Sequence, residues 1–254
     1  MSHKKNRELV FGVNSVTSYL EVSPERILQA FVLKGREDDK RIAPLLNRLY
    51  DNGLSVQLCQ KRFLDEKTEG AVHQGIVLEV RPYEIADEHD LEALLDGQPK
   101  DREWLFLVLD GVTDPHNIGA ALRSAWAAGC DGMIVPRDRS ATLTATARKI
   151  ASGGADHVPF FAVTNLARVL DLLKDRFITI VGLDGAAEDF IYSAPFTASC
   201  ALVMGSEESG MRRLTRDKCD RIVKIPMAEG VESLNVSVAA GIALFEAVRQ
   251  RRAV

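Results

Sequence analysis

Trp104-Leu105-Phe106-Leu107-Val108-Leu109, running into Asp110-Gly111-Val112-Thr113-Asp114-Pro115-His116-Asn117-Ile118-Gly119, is the stretch on which the fold turns. The apolar run is far too short for a membrane span and suits a strand covered on both faces. Asp114-Pro115 then bends the chain sharply, and Asn117 can cap a helix from 118 to 128. The same alternation continues downstream. Strands are expected at 132–135, 158–163, 178–182, 201–204 and 221–225, and helices at 141–151, 166–175, 211–218 and 235–249. Strand and helix in turn, with short links, predict a parallel sheet with helices on both faces.

Upstream the pattern changes. Between Tyr83 and Glu103 stand eight acidic residues against two basic ones, so this stretch carries −6 of a net −4 and the remainder carries +2. It reads as an acidic linker over 83–101, with a short helix near 91–95. Residues 1–82 form a compact αβ unit. Asn14 or Ser15 can cap a helix through Leu20, and strands are expected near 30–33, 55–58 and 75–80. An amphipathic helix over 40–52 sets Ile42, Leu45, Leu46 and Leu49 on one face, with Gly53 as its left-handed stop. Two domains joined by a linker follow: 1–82, the linker 83–101, and 102–254.

At 254 residues, 46% hydrophobic and 27% charged, the chain has an ordinary globular balance. No apolar run approaches a membrane span, and the basic start lacks the apolar stretch of a secretion signal. Cys59, Cys130, Cys200 and Cys219 are scattered without Cys-x-x-Cys spacing, which points to reduced thiols in a cytoplasmic protein and gives no zinc pattern. The histidines have no ligand spacing either, so metal chemistry is not expected.

Three loops follow strands at their carboxyl ends, the edge where open α/β sheets bind ligands. In the first, Asn117 and Gly119 precede Arg123, which stands on the same helical face as Gly119. Alone it is ordinary turn chemistry. The second reads Met204-Gly205-Ser206-Glu207-Glu208-Ser209-Gly210-Met211-Arg212-Arg213. It is not a phosphate loop, because Met211 occupies the place of the required lysine. The third, Ile225-Pro226-Met227 through Ser233-Leu234-Asn235-Val236-Ser237, offers more capping residues than one helix needs and an apolar edge that could wrap an adenine. Capping and ligand binding account for it equally well.

Taken together, Asp-Pro-x-Asn-x-Gly-x-x-x-Arg, Gly-x-Glu-x-x-Gly-Met and Ile-Pro-Met with Ser-Leu-Asn-Val-Ser-x-Ala closely resemble the three motifs of SpoU-type RNA 2′-O-ribose methyltransferases. The resemblance covers 102–254. Phe11-Gly12, Leu33-Lys34-Gly35-Arg36 and Gly70-Ala71-Val72-His73-Gln74-Gly75 extend it to the RNA-binding domain of the branch that methylates guanosine in bacterial 23S ribosomal RNA. It implies an α/β fold: a small N-terminal RNA-binding domain, then a methyltransferase domain whose parallel sheet is tied in a deep trefoil knot. It also implies S-adenosylmethionine as methyl donor, ribosomal RNA or a ribosome precursor as partner, and a homodimer with active sites at the subunit interface. Periodicity alone would give an unknotted, doubly wound sheet.

Carried over by position, the donor site includes Gly205, Ile225 and Leu234, and the catalytic set is Arg123, Asn117, Glu207, Ser233 and Asn235. A guanidinium keeps its proton, so Arg123 is expected to bind the neighbouring phosphate and stabilise the developing alkoxide rather than act as a base. Candidate phosphate contacts are Lys34, Arg36, Lys40 and Arg41 in the first domain, and Arg137, Arg139, Arg212 and Arg213 in the second. Another RNA, such as transfer RNA, and a non-catalytic RNA-binding module are the alternatives. A nicotinamide oxidoreductase is disfavoured because no strand leads into Gly-x-Gly-x-x-Gly.

Overall fold

The computed structural model describes residues 7–81, 85–99, 101–138, 140–231 and 233–252. The chain divides into two compact units, Met1–Glu84 and Ile85–Val254.

The first unit runs β1 (Glu8–Phe11), α1 (Val13–Val22), β2 (Ile27–Leu33), α2 (Ala43–Asp51), β3 (Val56–Cys59), α3 (Lys61–Lys67) and β4 (Ile76–Val80). Its sheet has the order β1-β4-β2-β3. β4 is antiparallel to β1 and β2, and β2 is parallel to β3. Neither Asn14 nor Ser15 caps α1. Gly12 occupies the cap position at φ 86, without a side chain to offer, and Gln74 Oε1 accepts the Val13 N–H at 2.8 Å instead. α2 begins later than the apolar spacing suggests, because Pro44 sits in its first turn and residues 40–42 form a turn before it. Its buried face is the expected one, with Ile42, Leu45, Leu46 and Leu49 in the core, and Gly53 follows at φ 68.

The second unit opens with α4 (Glu88–Asp96), which lies within the acidic stretch. Asp87 accepts the His89 and Asp90 N–H groups and caps it in a reciprocal capping box. Leu91 and Leu95 are buried with Trp104 and Phe106. Glu88, Asp90, Glu92 and Asp96 therefore decorate a packed helix, and this part of the stretch is more than a tether.

Next come β5 (Leu105–Asp110), α5 (Pro115–Ala127), β6 (Gly132–Pro136), α6 (Ala145–Ala151), α7 (Gly154–His157), β7 (Phe160–Val163), α8 (Leu166–Lys174) and β8 (Thr179–Leu183). The chain ends through β9 (Asp189–Phe190), β10 (Cys200–Gly205), α9 (Arg213–Lys218), β11 (Arg221–Lys224) and α10 (Val236–Arg252). The seven strands lie in the order β7-β6-β5-β10-β8-β11-β9, every neighbouring pair parallel. All residues of β5, β6 and β7 are buried, as strands covered on both faces must be. Gly119 shows how tightly the helices dock. A Cβ there would lie 2.4 Å from the Ala147 carbonyl oxygen of α6, so only glycine lets α5 and α6 meet. Among the described residues no helix is long and apolar enough to cross a membrane.

Candidate active site

β5 and β10 are adjacent, and their last residues, Asp110 and Gly205, stand in register. The first two loops therefore leave the sheet side by side, and the third follows β11. The first loop enters α5 through Asp114, whose carboxylate accepts the His116 N–H at 2.9 Å, with Pro115 in the first helical turn. Asp114 is the cap, then, and Asn117 is not. Proline has no N–H to satisfy and presets the helical φ, so Asp-Pro forms a sufficient helix start. Asn117, relieved of that task, turns its side chain to the neighbouring loop.

There it meets Glu207. Asn117 Nδ2 donates to Glu207 Oε1 at 3.3 Å, Asn235 Nδ2 to the same oxygen at 2.7 Å, and the Val236 N–H at 3.0 Å. Asn235 Nδ2 also donates to Asn117 Oδ1 at 2.8 Å. Asn235 Oδ1 accepts the Ser237 N–H at 3.0 Å and its hydroxyl at 2.6 Å, so the residue caps α10 with its oxygen and binds the network with its nitrogen. The capping reading of the third loop therefore holds at Asn235, which joins this network as well. Three donors saturate Oε1 and leave Oε2 of Glu207 without a protein donor among the described residues.

The loop bearing Glu207 folds back on its own strand. Ser206 and Gly210 exchange backbone hydrogen bonds of 3.1 and 2.9 Å, and the Ser206 and Ser209 hydroxyls lie 2.8 Å apart. A Cβ on Gly205 would be 2.0 Å from the Gly210 carbonyl carbon and 2.1 Å from the Met211 nitrogen. Glycine is obligatory there. The loop returns to β5 at Arg212, whose N–H and Nε donate to Asp110 at 2.9 and 2.6 Å. Arg212 is thus an internal ion-pair partner, which the expectation of a phosphate contact did not foresee. Arg213 is exposed, 3.9 Å from Asp217, Arg137 is exposed, and Arg139 lies outside the described residues.

Two cavities flank Glu207. Gly205, Ile225 and Leu234 line the first, with Leu183, Met204 and Met227 completing an apolar wall, and Ser233 and Asp184 adding polar groups. The second, of about 400 Å³, lies between the first two loops and is lined by Asp110, Asp114, Asn117 and Arg212. Ser206, Glu207, Gly210 and Val236 belong to both. Ser233 makes no hydrogen bond among the described residues.

Arg123 is the site residue that one copy of the chain does not bring in. It stands six residues beyond Asn117 on α5, roughly 240° around the helix at 3.6 residues per turn. Its side chain is exposed, and it lines neither cavity.

In the first unit Lys34, Lys40 and Arg41 are exposed along the link from β2 to α2. Arg36 is engaged internally, paired with Asp39 and donating to the Gln74 carbonyl at 3.2 Å. The Arg41 N–H, and after it Arg36, hold the Asp39 carboxyl below its ordinary range. The four cysteines are free thiols, and burial pushes Cys130 up to about 12 and Cys200 and Cys219 to about 11. None of these three supplies a thiolate near neutral pH.

Reading the residues did not single out Asp110 or Asp184, and it read Asp114 as a turn residue rather than as the cap. For Asp114 the signal was present in the Asp-Pro pair. For Asp110 and Asp184 there was none, since a carboxylate at a strand end looks like any turn residue.

Residues 104–245 match the SpoU rRNA Methylase family, and residues 9–86 match the RNA 2′-O ribose methyltransferase substrate binding family. The chain is 54% identical over 244 residues to the 23S rRNA (guanosine-2′-O-)-methyltransferase RlmB of Escherichia coli K12, covering 96% of this chain and 99% of that one. It is 51% identical over 247 residues to the RlmB of Photobacterium profundum, covering 97% and 99%. Among solved structures it is similar to the SpoU methyltransferase AviRb of Streptomyces viridochromogenes in complex with AdoMet, with a TM-score of 0.64 and 27% identity over 98% of this chain and 92% of that one. With the match spanning the sheet, its three loops and most of α10, the chain belongs to the SpoU rRNA methylase family.

Proposed function

We propose that the chain transfers the methyl group of S-adenosylmethionine to the ribose 2′-hydroxyl of a guanosine in 23S ribosomal RNA. The observation that carries this reading is the position of Glu207. It stands in the wall common to two cavities, one oxygen locked by three donors and the other open. In-line transfer needs a donor and an acceptor on either side of one fixed point, held within about 3 Å.

The first cavity fits the donor. Its apolar wall suits an adenine ring, and the Glu207 carboxylate opposes the positive charge of a sulfonium, while Asp184 is already paired with Arg216. When bound, S-adenosylmethionine supplies an activated methyl group. The residues of this chain do the remaining work: Asn117 and Asn235 aim Glu207, Ser233 offers a hydroxyl at the cavity rim, and Glu207 Oε2 can accept a hydrogen bond from a ligand hydroxyl. The deep trefoil knot belongs to the same proposal, supported by the likeness to SpoU methyltransferases.

A homodimer completes the site in this reading, with Arg123 entering from a second copy. Its support is the exposed, unengaged Arg123 and an apolar stripe on α10, where Val238 and Phe245 are 51% and 49% exposed with Ile242 between them. These positions repeat at helical spacing and form one face. The setting is the bacterial cytoplasm.

Incubating the protein with labelled S-adenosylmethionine and RNA from cells lacking the modification tests the activity. One labelled 2′-O-methylguanosine in 23S ribosomal RNA is the expected product; label confined to transfer RNA, or no label, refutes the assignment. RNA binding should weaken with salt. Replacing Lys34, Lys40 and Arg41 by alanine together should flatten the log Kd against log salt slope by up to about 2, roughly 0.7 per lost phosphate contact. An unchanged slope would remove these residues from the RNA surface.

A further inference from the structure

We infer that Asp110 is a positioning residue for the reaction, acting through Arg212 to hold Glu207 in place. The inference rests on the methyltransferase reading and deepens it. Asp110 ends β5, its side chain fully buried, in register with Gly205 at the end of β10. A carboxylate taken out of water must find partners for its charge and its lone pairs. Both oxygens find them on one residue: Oδ2 accepts the Arg212 N–H at 2.9 Å, and Oδ1 accepts Nε at 2.6 Å and is ion-paired with Nη2.

That residue is the far end of the loop that carries Glu207. The near end is Gly205, seated in the sheet, and between them Ser206 and Gly210 close the loop with their paired backbone bonds. The return has two anchors. Buried Met211 sets how deep the chain sits. Asp110 sets its direction, because grasping a peptide N–H and the guanidinium of the same residue fixes the backbone and the side chain together. Glu207 must reach Asn117, Asn235 and the Val236 N–H at once, and a small rotation of its loop breaks these bonds. Gly205, Ser206, Glu207 and Gly210 all line the first cavity, so the same rotation also reshapes the donor site.

Arg212 is 45% exposed along its side chain and lines the second cavity beside Asp110, so that cavity meets the carboxylate already paired with a positive group. The clamp links the first motif to the second both by chain position and by contact.

Calorimetry with S-adenosylmethionine on the full-length protein, beside kcat and Tm, tests this. Asp110→Asn keeps the volume but turns an acceptor into a donor facing Arg212. It should raise the donor Kd about tenfold and lower kcat, and in a Glu207→Gln background its effect should shrink to about twofold, as expected for residues acting in series. The double change Asp110→Asn with Arg212→Gln, a neutral pair that can still hydrogen-bond, should recover most of the lost affinity. If Asp110→Asn does not fold, Arg212→Lys carries the test, keeping the charge and losing the Nε contact. A wild-type Kd and kcat in the variant, an undiminished effect in the Glu207→Gln background, or a loss of Tm alone would overturn the inference. A wild-type protein that binds no donor would instead overturn the methyltransferase reading.

Discussion

Changing Arg123 to alanine should lower kcat by about 10²–10³-fold, the usual cost of removing a group that stabilises charge developing in a transition state. Donor affinity should barely move, because Arg123 lines neither cavity. The sharper test uses two inactive proteins. If Arg123 serves the network of a second copy, an Arg123→Ala chain supplies an intact network and an Asn235→Ala chain supplies an intact arginine. Mixing and re-equilibrating them should restore about a quarter of the wild-type rate, since half of the dimers are mixed and each holds one complete site. If each copy uses its own Arg123, no mixture contains a complete site and the rate stays at the background of either variant. Arg123→Lys separates charge from geometry, because lysine keeps the charge but cannot grip a phosphate with two parallel bonds.

Gly205→Ala should be the most damaging single methyl group in the molecule. Its Cβ would lie 2.0 Å from the Gly210 carbonyl carbon and 2.1 Å from the Met211 nitrogen, both of them backbone atoms that cannot swing aside like a side chain. Overpacking of this kind costs roughly 1–3 kcal/mol or more, and the cheaper escape is for the loop to lift off the strand. Lifting it carries Glu207 away from Asn117 and Asn235 and opens the donor cavity at its floor. S-adenosylmethionine binding should therefore weaken by at least about 100-fold, while Tm falls by a few degrees, roughly what 1–3 kcal/mol produces in a domain of this size. A variant that binds the donor normally would mean that the loop is free to sit elsewhere in solution.

Much of this was legible in the chain before any coordinates. β5, β6 and β10 announce themselves as unbroken apolar runs, because a strand buried on both faces has no polar side to show. β9 could not be read, since Asp189 and Phe190 are both exposed and two residues make no pattern. β1 and α3 were missed for related reasons: each is short and mixed, and each owes its place to tertiary contacts, such as the packing of Leu64 against Phe31 and Val77. At the site, Asn117, Glu207 and Asn235 stood out by their motif spacing, and the fold brings them together. Their hydrogen bonds did not stand out. Helix-start chemistry favoured Asn117 as a cap until Asp114 took that place, and Arg212 looked like a surface cation until Asp110 claimed it. Such assignments depend on which of two nearby polar groups a backbone turn brings closer, and composition is silent about that.

The three corners of the Glu207 network lie far apart along the polypeptide: Asn117 and Glu207 are separated by 90 residues, and Asn117 and Asn235 by 118. Closing loops of that size is entropically unfavourable until the intervening sheet has formed to hold the ends. During synthesis a nascent chain can already own its sheet through β11 while Glu207 still lacks two of its three donors, because Asn235 and Val236 have yet to emerge. Chemical competence thus arrives after architecture, because the residues that hold the Glu207 carboxylate are completed last.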